Sequence, residues 1–350
     1  MMNCLILLVI FLAIIVLVRL MKIVDLAGEL RGHVEEEVTH ADNQFNAFFF
    51  ILFMLFLFGI TVIPTYMYRN YMMTPPASEH GQSIDNLMYF TFAVIGIAFF
   101  ITQTLLFVFA YKYHAKKDTK AFYYPHNNKL ELIWTIVPSI VLTAMIIYGL
   151  SVWKNVMMDA PAEKPIVIEL FSKQFKWIAR YAGTDNELGS FSYKKIIGVN
   201  ELGIDSSDTR SNDDIIVSGE FHLPVNRQVE FHLRSQDVLH GAFMPYFRLQ
   251  MNTVPGMTTM LKFKPIITTN DMRGIMKDDK FDYLLLCNKI CGSSHYNMQM
   301  NIVVDTEADF NNWIKEQKTF KSEEATKAEI TKTDSVKVTA VLEAVKIEKK

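Results

Sequence analysis

The chain has 350 residues, a formal net charge of −2, 50% hydrophobic and 21% charged residues. The 15 Gly and 11 Pro exclude a collagen-like or low-complexity chain, and three Cys exclude a disulfide-dense secreted scaffold. The near-zero charge leaves no basic footprint, so we expect no nucleic-acid partner.

Long apolar runs occupy four places before residue 153, at 5–18, 45–63, 88–111 and 130–152. A bilayer core needs about 20 helical residues, which predicts that the last three runs span a membrane. The first run is shorter, and a spanning helix, a cleaved signal peptide and a membrane-surface helix remain open for it. No basic residue precedes this run and no A-x-A site follows it, which favours a spanning helix. We therefore expect four spans.

Loop charges predict the orientation of these spans. The loop at 112–129 carries five Lys against one acid, Asp118, and is expected to be cytoplasmic. Four spans then place both termini, and everything after Trp153, on the outer side. Glu131 stands at the cytoplasmic start of the fourth run, where both a proton route and an ordinary helix-end carboxylate are open interpretations.

Period-two patterns of β-forming residues begin at Pro165 and predict a β-sandwich or barrel of short strands. Residues 182–214 are rich in Gly, Ser, Asn and Asp and predict a long loop. A short helix is expected from Asp309, followed by a flexible charged tail at 321–350. The predicted strand segments are 166–181, 213–219, 221–235, 259–265, 281–287 and 298–305.

Two cysteines stand with a histidine and a methionine in one stretch, Cys287, Cys291, His295 and Met298. A disulfide would leave the histidine and the methionine unexplained, and methionine is a poor zinc ligand. The Cys-x-x-Cys redox motif and the Cys-x-x-Cys-His haem-attachment motif are both absent from the sequence. Thiolate, imidazole and thioether together select copper, and two thiolates can bridge two copper ions.

A further histidine is needed for such a centre. His222 and His232 fall within strand alternation, which favours structural roles for both. His240 ends a predicted strand in SQDVLHGAFMP, where its side chain can reach a site at the rim of the sheet. From spacing alone, a ligand role and a structural role for His240 are both open.

The segments SQDVLHGAFMP, VPGM and CNKICGSSHYNM resemble the CuA domain of the cytochrome c oxidase subunit II family. ELIWTIVPS is similar to that family's second transmembrane helix, and QFKWIARY to its aromatic segment after the membrane. The resemblance covers about residues 88–305. It implies a cupredoxin-like β-barrel carried on a transmembrane hairpin, here the third and fourth apolar runs, so the first two runs are extra to the family's usual plan. With them, we expect a membrane-anchored α plus all-β fold of four transmembrane helices, the exported β-barrel and a disordered tail. The expected domains are two extra N-terminal helices (1–63), a hairpin docking subunit I (64–152), the copper domain (153–320) and the tail (321–350).

The resemblance also implies a function. The chain would be the electron-input subunit of a proton-pumping oxidase in a bacterial inner (cytoplasmic) membrane, with its copper domain in the periplasm. Two copper ions would take electrons from cytochrome c, or from a cytochrome c domain of a neighbouring complex. The copper ions would pass these electrons to haem in subunit I, which reduces oxygen to water. Subunit III and membrane lipid are further expected partners, and no covalent haem c is expected.

Site residues follow from the same resemblance. Glu131 would stand at the entrance of a proton-uptake route, and Phe175 and Trp177 at the point of electron entry. The copper ligands would be His240, Cys287, Cys291, His295, Met298 and the backbone carbonyl of Lys289.

Several departures from the family pattern qualify these expectations. Lys289 stands where the family has a Glu that also binds magnesium, so we expect the magnesium site to be absent or built differently. Phe175 replaces the family's entry Trp, while Trp177 follows two residues later. Residues 153–305 hold 17 basic and 18 acidic residues, which gives no strong steering of a very basic donor. The copper subunit of a nitric-oxide reductase and a copper-binding assembly protein remain alternatives.

Overall fold

A computed structural model describes residues 2–30, 39–116, 119–157, 163–198 and 200–321. The chain divides into two compact units, one of Met1–Tyr68 with Gly96–His126 and one of Arg69–Ile95 with Asn127–Lys350. Apart from Lys321, the tail predicted at 321–350 lies outside the described residues. The chain begins with four long helices, α1 (Met2–Leu30), α2 (His40–Met72), α3 (Gly81–Lys112) and α4 (Asn128–Met157).

Three of the helices that the structure describes are long and apolar enough to cross a membrane, and they lie at His40–Arg69, Gly81–Lys112 and Asn128–Met157. Within the described part of the chain, the prediction of four spans is therefore corrected to three. The physical reason lies in α1, where the apolar run at 5–18 is followed within the helix by Arg19, Lys22 and Asp25. That run is shorter than the roughly 20 residues that a bilayer core requires.

Local sequence sets where the membrane helices begin. At α2, Asp42 Oδ2 accepts the Thr39 N–H at 2.9 Å and Thr39 Oγ1 accepts the Asp42 N–H at 3.2 Å, a reciprocal capping box. At α4, Asn127 Oδ1 accepts the Leu130 N–H at 3.1 Å. Most large apolar side chains of α2, α3 and α4 remain exposed, such as Phe56 at 61%. Apolar surface of this kind suits contact with lipid tails.

The domain after α4 consists of two facing five-stranded sheets, with strand orders β3-β2-β1-β5-β8 and β4-β10-β9-β6-β7. Strands β1 and β5 pair in parallel, as do β4 and β10, and the other neighbours are antiparallel. The strands are β1 (Ile166–Lys173), β2 (Lys176–Tyr181), β3 (Ile215–Val217), β4 (Glu220–Pro224), β5 (Val229–Ser235), β6 (His240–Met244), β7 (Leu249–Thr253), β8 (Thr259–Phe263), β9 (Tyr283–Cys287) and β10 (Gln299–Asp305).

The expected cupredoxin-like β-barrel is corrected, because it is not closed: the two sheets form an open sandwich, the other architecture that the strand pattern predicted. Each ladder stops at its edge strands, and β3 has only three residues with which to extend one. The core between the sheets comes from alternate strand residues, including Leu170, Phe231 and Leu285, each 0% exposed. Alternation of this kind is what the sequence pattern predicted.

The predicted strand segments are confirmed as β1 to β5 and β8 to β10, and the predicted helix as α6 (Glu307–Glu316). Strands β6 and β7 and the helix α5 (Thr269–Met276) were missed. Gly241 and Ala242 weaken the strand signal of β6, and Gly274 weakens the helix signal of α5. Residues 182–198 and 200–214 form a loop with short 3₁₀ turns at Tyr193–Lys195 and Thr209–Asp213.

A buried charge network holds this long loop to the first sheet. Arg180, 0% exposed, donates from Nε to Asp214 Oδ2 at 3.0 Å and from Nη1 to Glu169 Oε2 at 3.2 Å. Its Nη2 donates to the Gly189 carbonyl at 2.8 Å. Arg234 pairs with the other oxygen of Glu169. Two arginines and two carboxylates therefore balance one another inside the domain.

Asp214 gives this network a pH dependence. Burial raises the pKa of Asp214 to about 6, although Arg180 and the Gly189 N–H lower it. The folded protein thus holds this proton more tightly than the unfolded chain, in which an Asp titrates near pH ~4. The carboxyl's contribution to the free energy of unfolding therefore falls as pH rises from about 4 to about 6, and is constant above that range.

We expect this pH dependence in the difference in unfolding free energy between the wild-type chain and Asp214→Asn, measured by denaturant unfolding at constant ionic strength. Taking the difference cancels the contributions of the other carboxyl groups to the pH dependence of the unfolding free energy. A difference that rises over the same pH interval would contradict the assignment.

Candidate metal centre

One end of the second sheet brings together the cysteines and histidines that the sequence singled out. Strands β6 and β9 pair with Ala242 opposite Cys287, which places His240, two residues before Ala242, beside the end of β9. A loop then connects β9 to β10. At the two ends of this loop, the Cys287 N–H donates a hydrogen bond to the Met298 carbonyl at 3.1 Å. His240 begins β6, which corrects the prediction that it ends a strand. Both ends of a strand reach a rim of the sandwich, so the predicted position at a rim is confirmed.

The side chains of this loop converge on a small volume. Ligand atoms of His240, Cys287 and Cys291 all lie within 4.8 Å of one another. The two Sγ atoms are 3.8 Å apart, and Cys287 Sγ lies 3.9 Å from His240 Nδ1. Cys291 Sγ lies 3.6 Å from His295 Nδ1 and 3.8 Å from Met298 Sδ. The structure thus gathers two thiols, two imidazoles and one thioether.

The backbone adds a sixth donor. The Lys289 carbonyl oxygen lies 3.2 Å from Cys287 Sγ, while the Lys289 side chain is exposed. An ammonium group has no lone pair for a metal, so Lys289 offers nothing to a magnesium ion at this position. The residues present therefore do not fit the family's side-chain magnesium contact.

A carboxylate orients the His240 ring. Asp237 Oδ1 lies 2.9 Å from His240 Nε2, and Asp237 Oδ2 accepts the Gln174 N–H at 2.7 Å. Because a carboxylate only accepts, Nε2 carries the proton and Nδ1 presents a lone pair to the thiols. Burial opposes ionisation of Asp237, but the hydrogen bonds from Gln174 and His240 hold its pKa below the ordinary value. The Gln174 side chain also donates to the Cys291 carbonyl.

Sequence reasoning missed Asp237 and Gln174. An acid three residues before the histidine in SQDVLH was the available signal for Asp237. Gln174 carried no such signal, since its contact with Cys291 joins residues 117 apart in the chain.

The two thiols are free, and Cys291 is buried at 5% exposure. Burial, together with the adjacent Cys287, raises the pKa of the Cys291 thiol to about 11. Their 3.8 Å separation is well beyond the ~2.05 Å of a disulfide bond. The donor set, rich in sulfur and imidazole, fits copper better than zinc.

Both aromatic residues predicted for electron entry lie beside this centre. The Phe175 ring packs on Gly292, where a Cβ would come within 2.8 Å of the ring, and Gly292 has a φ of +143°. Glycine is therefore required at position 292. Trp177 is 2% exposed and stands edge-on to His240, with ring centroids 6.2 Å apart. Phe175, which is half-buried, is the more accessible of the two.

Glu131 is not part of this cluster. It lies exposed in the first turn of α4, with its Oε1 3.4 Å from the Asn127 N–H. The β-domain follows the other end of that helix, ~39 Å from Glu131 at 1.5 Å per residue. His222 and His232 also lie elsewhere, paired with Asp305 at 2.5 Å and with Glu230 at 2.8 Å. These pairings fit the structural roles expected for both histidines.

Comparisons with known proteins agree with this geometry. Residues 68–152 match the family model "Cytochrome C oxidase subunit II, transmembrane domain", and residues 166–307 match its periplasmic domain. An alternative cytochrome c oxidase subunit 2 of Bradyrhizobium diazoefficiens is 33% identical over 273 residues, which cover 77% of this chain and 92% of the relative. Cytochrome c oxidase subunit 2 of Cereibacter sphaeroides is 26% identical over 69% of this chain and 78% of the relative.

Among solved structures, the periplasmic domain of subunit II of cytochrome oxidase from Bradyrhizobium japonicum is 22% identical, with a TM-score of 0.29. The match covers 44% of this chain and 95% of that one. The two family models together extend over most of the chain, from the second half of the membrane region to the end of β10. The chain is therefore a membrane protein with an outer-side copper-binding domain, and it belongs to the cytochrome c oxidase subunit II family.

Proposed function

We propose that the chain is the electron-input subunit of a proton-pumping cytochrome c oxidase and holds a dinuclear copper centre. The observation that carries the proposal is the convergence of six donor atoms at one rim of the sandwich. The proposed ligands are His240, Cys287, the Lys289 carbonyl, Cys291, His295 and Met298.

The chain's own residues prepare this site for electron transfer. Cys287 and Cys291 are placed to bridge two metal ions. Asp237 fixes the tautomer of His240, and burial of Cys291 and Met298 keeps water from the sulfur atoms. Two bridged copper ions that share one unpaired electron would supply one-electron transfer with little rearrangement. A donor in contact with Phe175 would be separated from Cys291 by Gly292 alone.

Electron paramagnetic resonance of the copper-loaded chain tests this proposal. We expect hyperfine structure from one electron shared by two copper nuclei. A single-copper spectrum, or no copper signal, would contradict it. A copper-binding assembly protein would bind the metal without the shared-electron spectrum.

The proposed partners are subunit I with its haem, subunit III, and cytochrome c or a cytochrome c domain of a neighbouring complex. The proposed location is a bacterial inner membrane, with the copper domain in the periplasm. Oxygen consumption by the purified complex supports an oxygen reductase. Nitric-oxide consumption without oxygen consumption would identify the nitric-oxide reductase alternative instead.

Glu131 is proposed to stand at the entrance of a proton-uptake route on the cytoplasmic side. Because it lies about a whole helix length from the copper domain, changing it should leave the copper environment intact. We expect Glu131→Gln to slow turnover of the assembled oxidase with an unchanged copper spectrum. Unchanged turnover would show that the carboxylate is only a helix-end group.

A further inference from the structure

The β6–β7 hairpin connects the proposed copper centre to the first part of helix α3, both within the unit of Arg69–Ile95 and Asn127–Lys350. Its ladder runs from His240 opposite Thr253 to Met244 opposite Leu249. The proposed ligand His240 lies at one end of this ladder, and the turn at 245–248 lies at the other. Five cross-strand pairs at about 3.4 Å per residue give a stiff ribbon ~15 Å long. Any movement of the turn is therefore transmitted to His240.

Arg248 fastens that turn to helix α3. Its Nε donates to Asp85 Oδ1 at 2.6 Å and its Nη2 to Asp85 Oδ2 at 2.9 Å, a bidentate pair. Nη2 also donates to the Thr74 carbonyl at 2.5 Å, and Nη1 to the Pro245 carbonyl at 2.7 Å. The side chains of Arg248 and Asp85 are 11% and 5% exposed. Both charges are thus withdrawn from water and held by several hydrogen bonds.

The segment between α2 and α3 is built into the same junction. The Ala77 N–H donates to the Tyr246 carbonyl at 2.7 Å, and the Ala77 carbonyl accepts from the Ile266 N–H at 2.9 Å. Ser78 Oγ donates to the Phe247 carbonyl at 2.7 Å. Ala77 and Ser78 are both 0% exposed. The connection therefore packs against the β-domain as one of its own elements.

The backbone of Arg248 supports a specific role. Its φ of +55° lies in the left-handed region, which costs free energy for a residue with a side chain. Glycine would adopt this conformation without strain. Arginine at this position instead supplies the guanidinium group that contacts Asp85 and the Thr74 carbonyl.

We propose that Arg248 and Asp85 are positioning residues, which hold the β6–β7 hairpin, and with it the copper centre, at a set place relative to helix α3. This inference rests on the proposed function, because electrons leave the centre for a haem in a membrane subunit. Electron transfer falls steeply with distance, so the position of the centre over the membrane helices matters for its onward step. His240 itself is bound locally, through Asp237 and the β6 ladder, and does not need this junction for its own geometry.

Pulsed electron paramagnetic resonance tests the proposal in the full copper-loaded chain. A nitroxide on a cysteine at the exposed first turn of α3 (Ser83→Cys, with Cys4→Ser) reports its distance to the copper centre. We expect a narrow distribution with Arg248 present. Arg248→Gly removes the cost of the left-handed backbone conformation but leaves the buried Asp85 without its ion-pair partner. The distribution of nitroxide–copper distances should therefore broaden about twofold. The copper hyperfine pattern should stay the same.

Matched variants distinguish the loss of the Arg248–Asp85 ion pair from a general destabilisation of the domain. Asp85→Asn should also broaden the distribution, and combining it with Arg248→Gly should broaden it little more than either change alone, because both remove the same contact. Arg248→Lys keeps the charge without the bidentate contact and should give an intermediate width. Arg210→Gly, which removes a partly exposed arginine paired with Asp208, should leave the distribution unchanged.

In the assembled oxidase, Arg248→Gly should leave reduction of copper by the donor unchanged and slow electron transfer from copper to haem about tenfold or more. A distribution as narrow as that of the wild-type chain, or an unchanged onward rate, would overturn the proposal. An absent copper signal in the wild-type chain overturns the proposed function and this inference with it. A normal copper signal with an unchanged distribution overturns the positioning role alone.

Discussion

Replacement of Cys291 by serine is expected to abolish the two-copper signal altogether. Cys291 Sγ lies 3.8 Å from both Cys287 Sγ and Met298 Sδ and 3.6 Å from His295 Nδ1, so it contacts three of the other proposed donors. A hydroxyl is a poor ligand for copper where a thiolate is preferred. With one bridging sulfur lost, two metal ions no longer share an electron. Electron paramagnetic resonance after copper loading measures the loss directly.

Lys289→Ala is the matched control for this change. Lys289 lies between the two cysteines, but it contributes its backbone carbonyl, which alanine also has. The spectrum of this variant should therefore remain largely intact. A two-copper spectrum that survives in Cys291→Ser would refute the bridging role. Its loss in both variants would point to disruption of the whole loop.

Replacement of Arg180 by methionine is expected to cause a large loss of stability in the β-domain. The change leaves Glu169 and Asp214 buried at 2% and 0% exposure without their shared partner. Breaking one side of a buried ion pair costs about 3–5 kcal/mol, a large part of the ~5–15 kcal/mol that stabilises a typical domain. The midpoint temperature should fall on the order of 10 °C. Thermal unfolding followed by near-ultraviolet circular dichroism at pH 7 measures the shift.

A lower pH should reduce this loss of stability, because a protonated Asp214 carries no unpaired charge. Because Arg180 lowers the pKa of Asp214, the Arg180→Met variant keeps this proton up to a higher pH than the wild-type chain does. The difference in unfolding free energy should therefore shrink as the pH falls toward about 6 and stay constant below it. Lys176→Met is the control, since it removes an exposed ion pair with Glu201 at 3.3 Å. Such pairs contribute ~0–1 kcal/mol. Equal losses in both variants would show that the buried network is no more important than surface charge.

Much of the fold could be predicted from the sequence because burial leaves a periodic pattern. Apolar runs of sufficient length predicted α2, α3 and α4, and period-two alternation predicted eight of the ten strands. The number of spans and the closure of the sheets could not be predicted in this way. Closure depends on how edge strands pair across the domain, and no local pattern encodes a pairing between distant segments.

The candidate site could likewise be predicted from the sequence only in part. Cys287, Cys291, His295 and Met298 lie within twelve residues, so their shared chemistry was visible as a string. His240 could be placed at a rim but not assigned as a ligand from spacing alone. Contacts made through backbone atoms were invisible, such as the hydrogen bond from Gln174 to the Cys291 carbonyl. Sequence patterns record side-chain chemistry, whereas these contacts depend on tertiary structure.

The parallel pairing of β4 with β10 has a consequence for how the protein matures. It joins Glu220 to Asn301, about 80 residues apart, and β10 follows directly after the metal-binding loop. Pairings this distant in sequence close late in folding. The loop that carries both thiols is therefore closed only once β10 has paired with β4. The proposed copper site would therefore be completed late in folding, and both thiols would have to stay reduced until then.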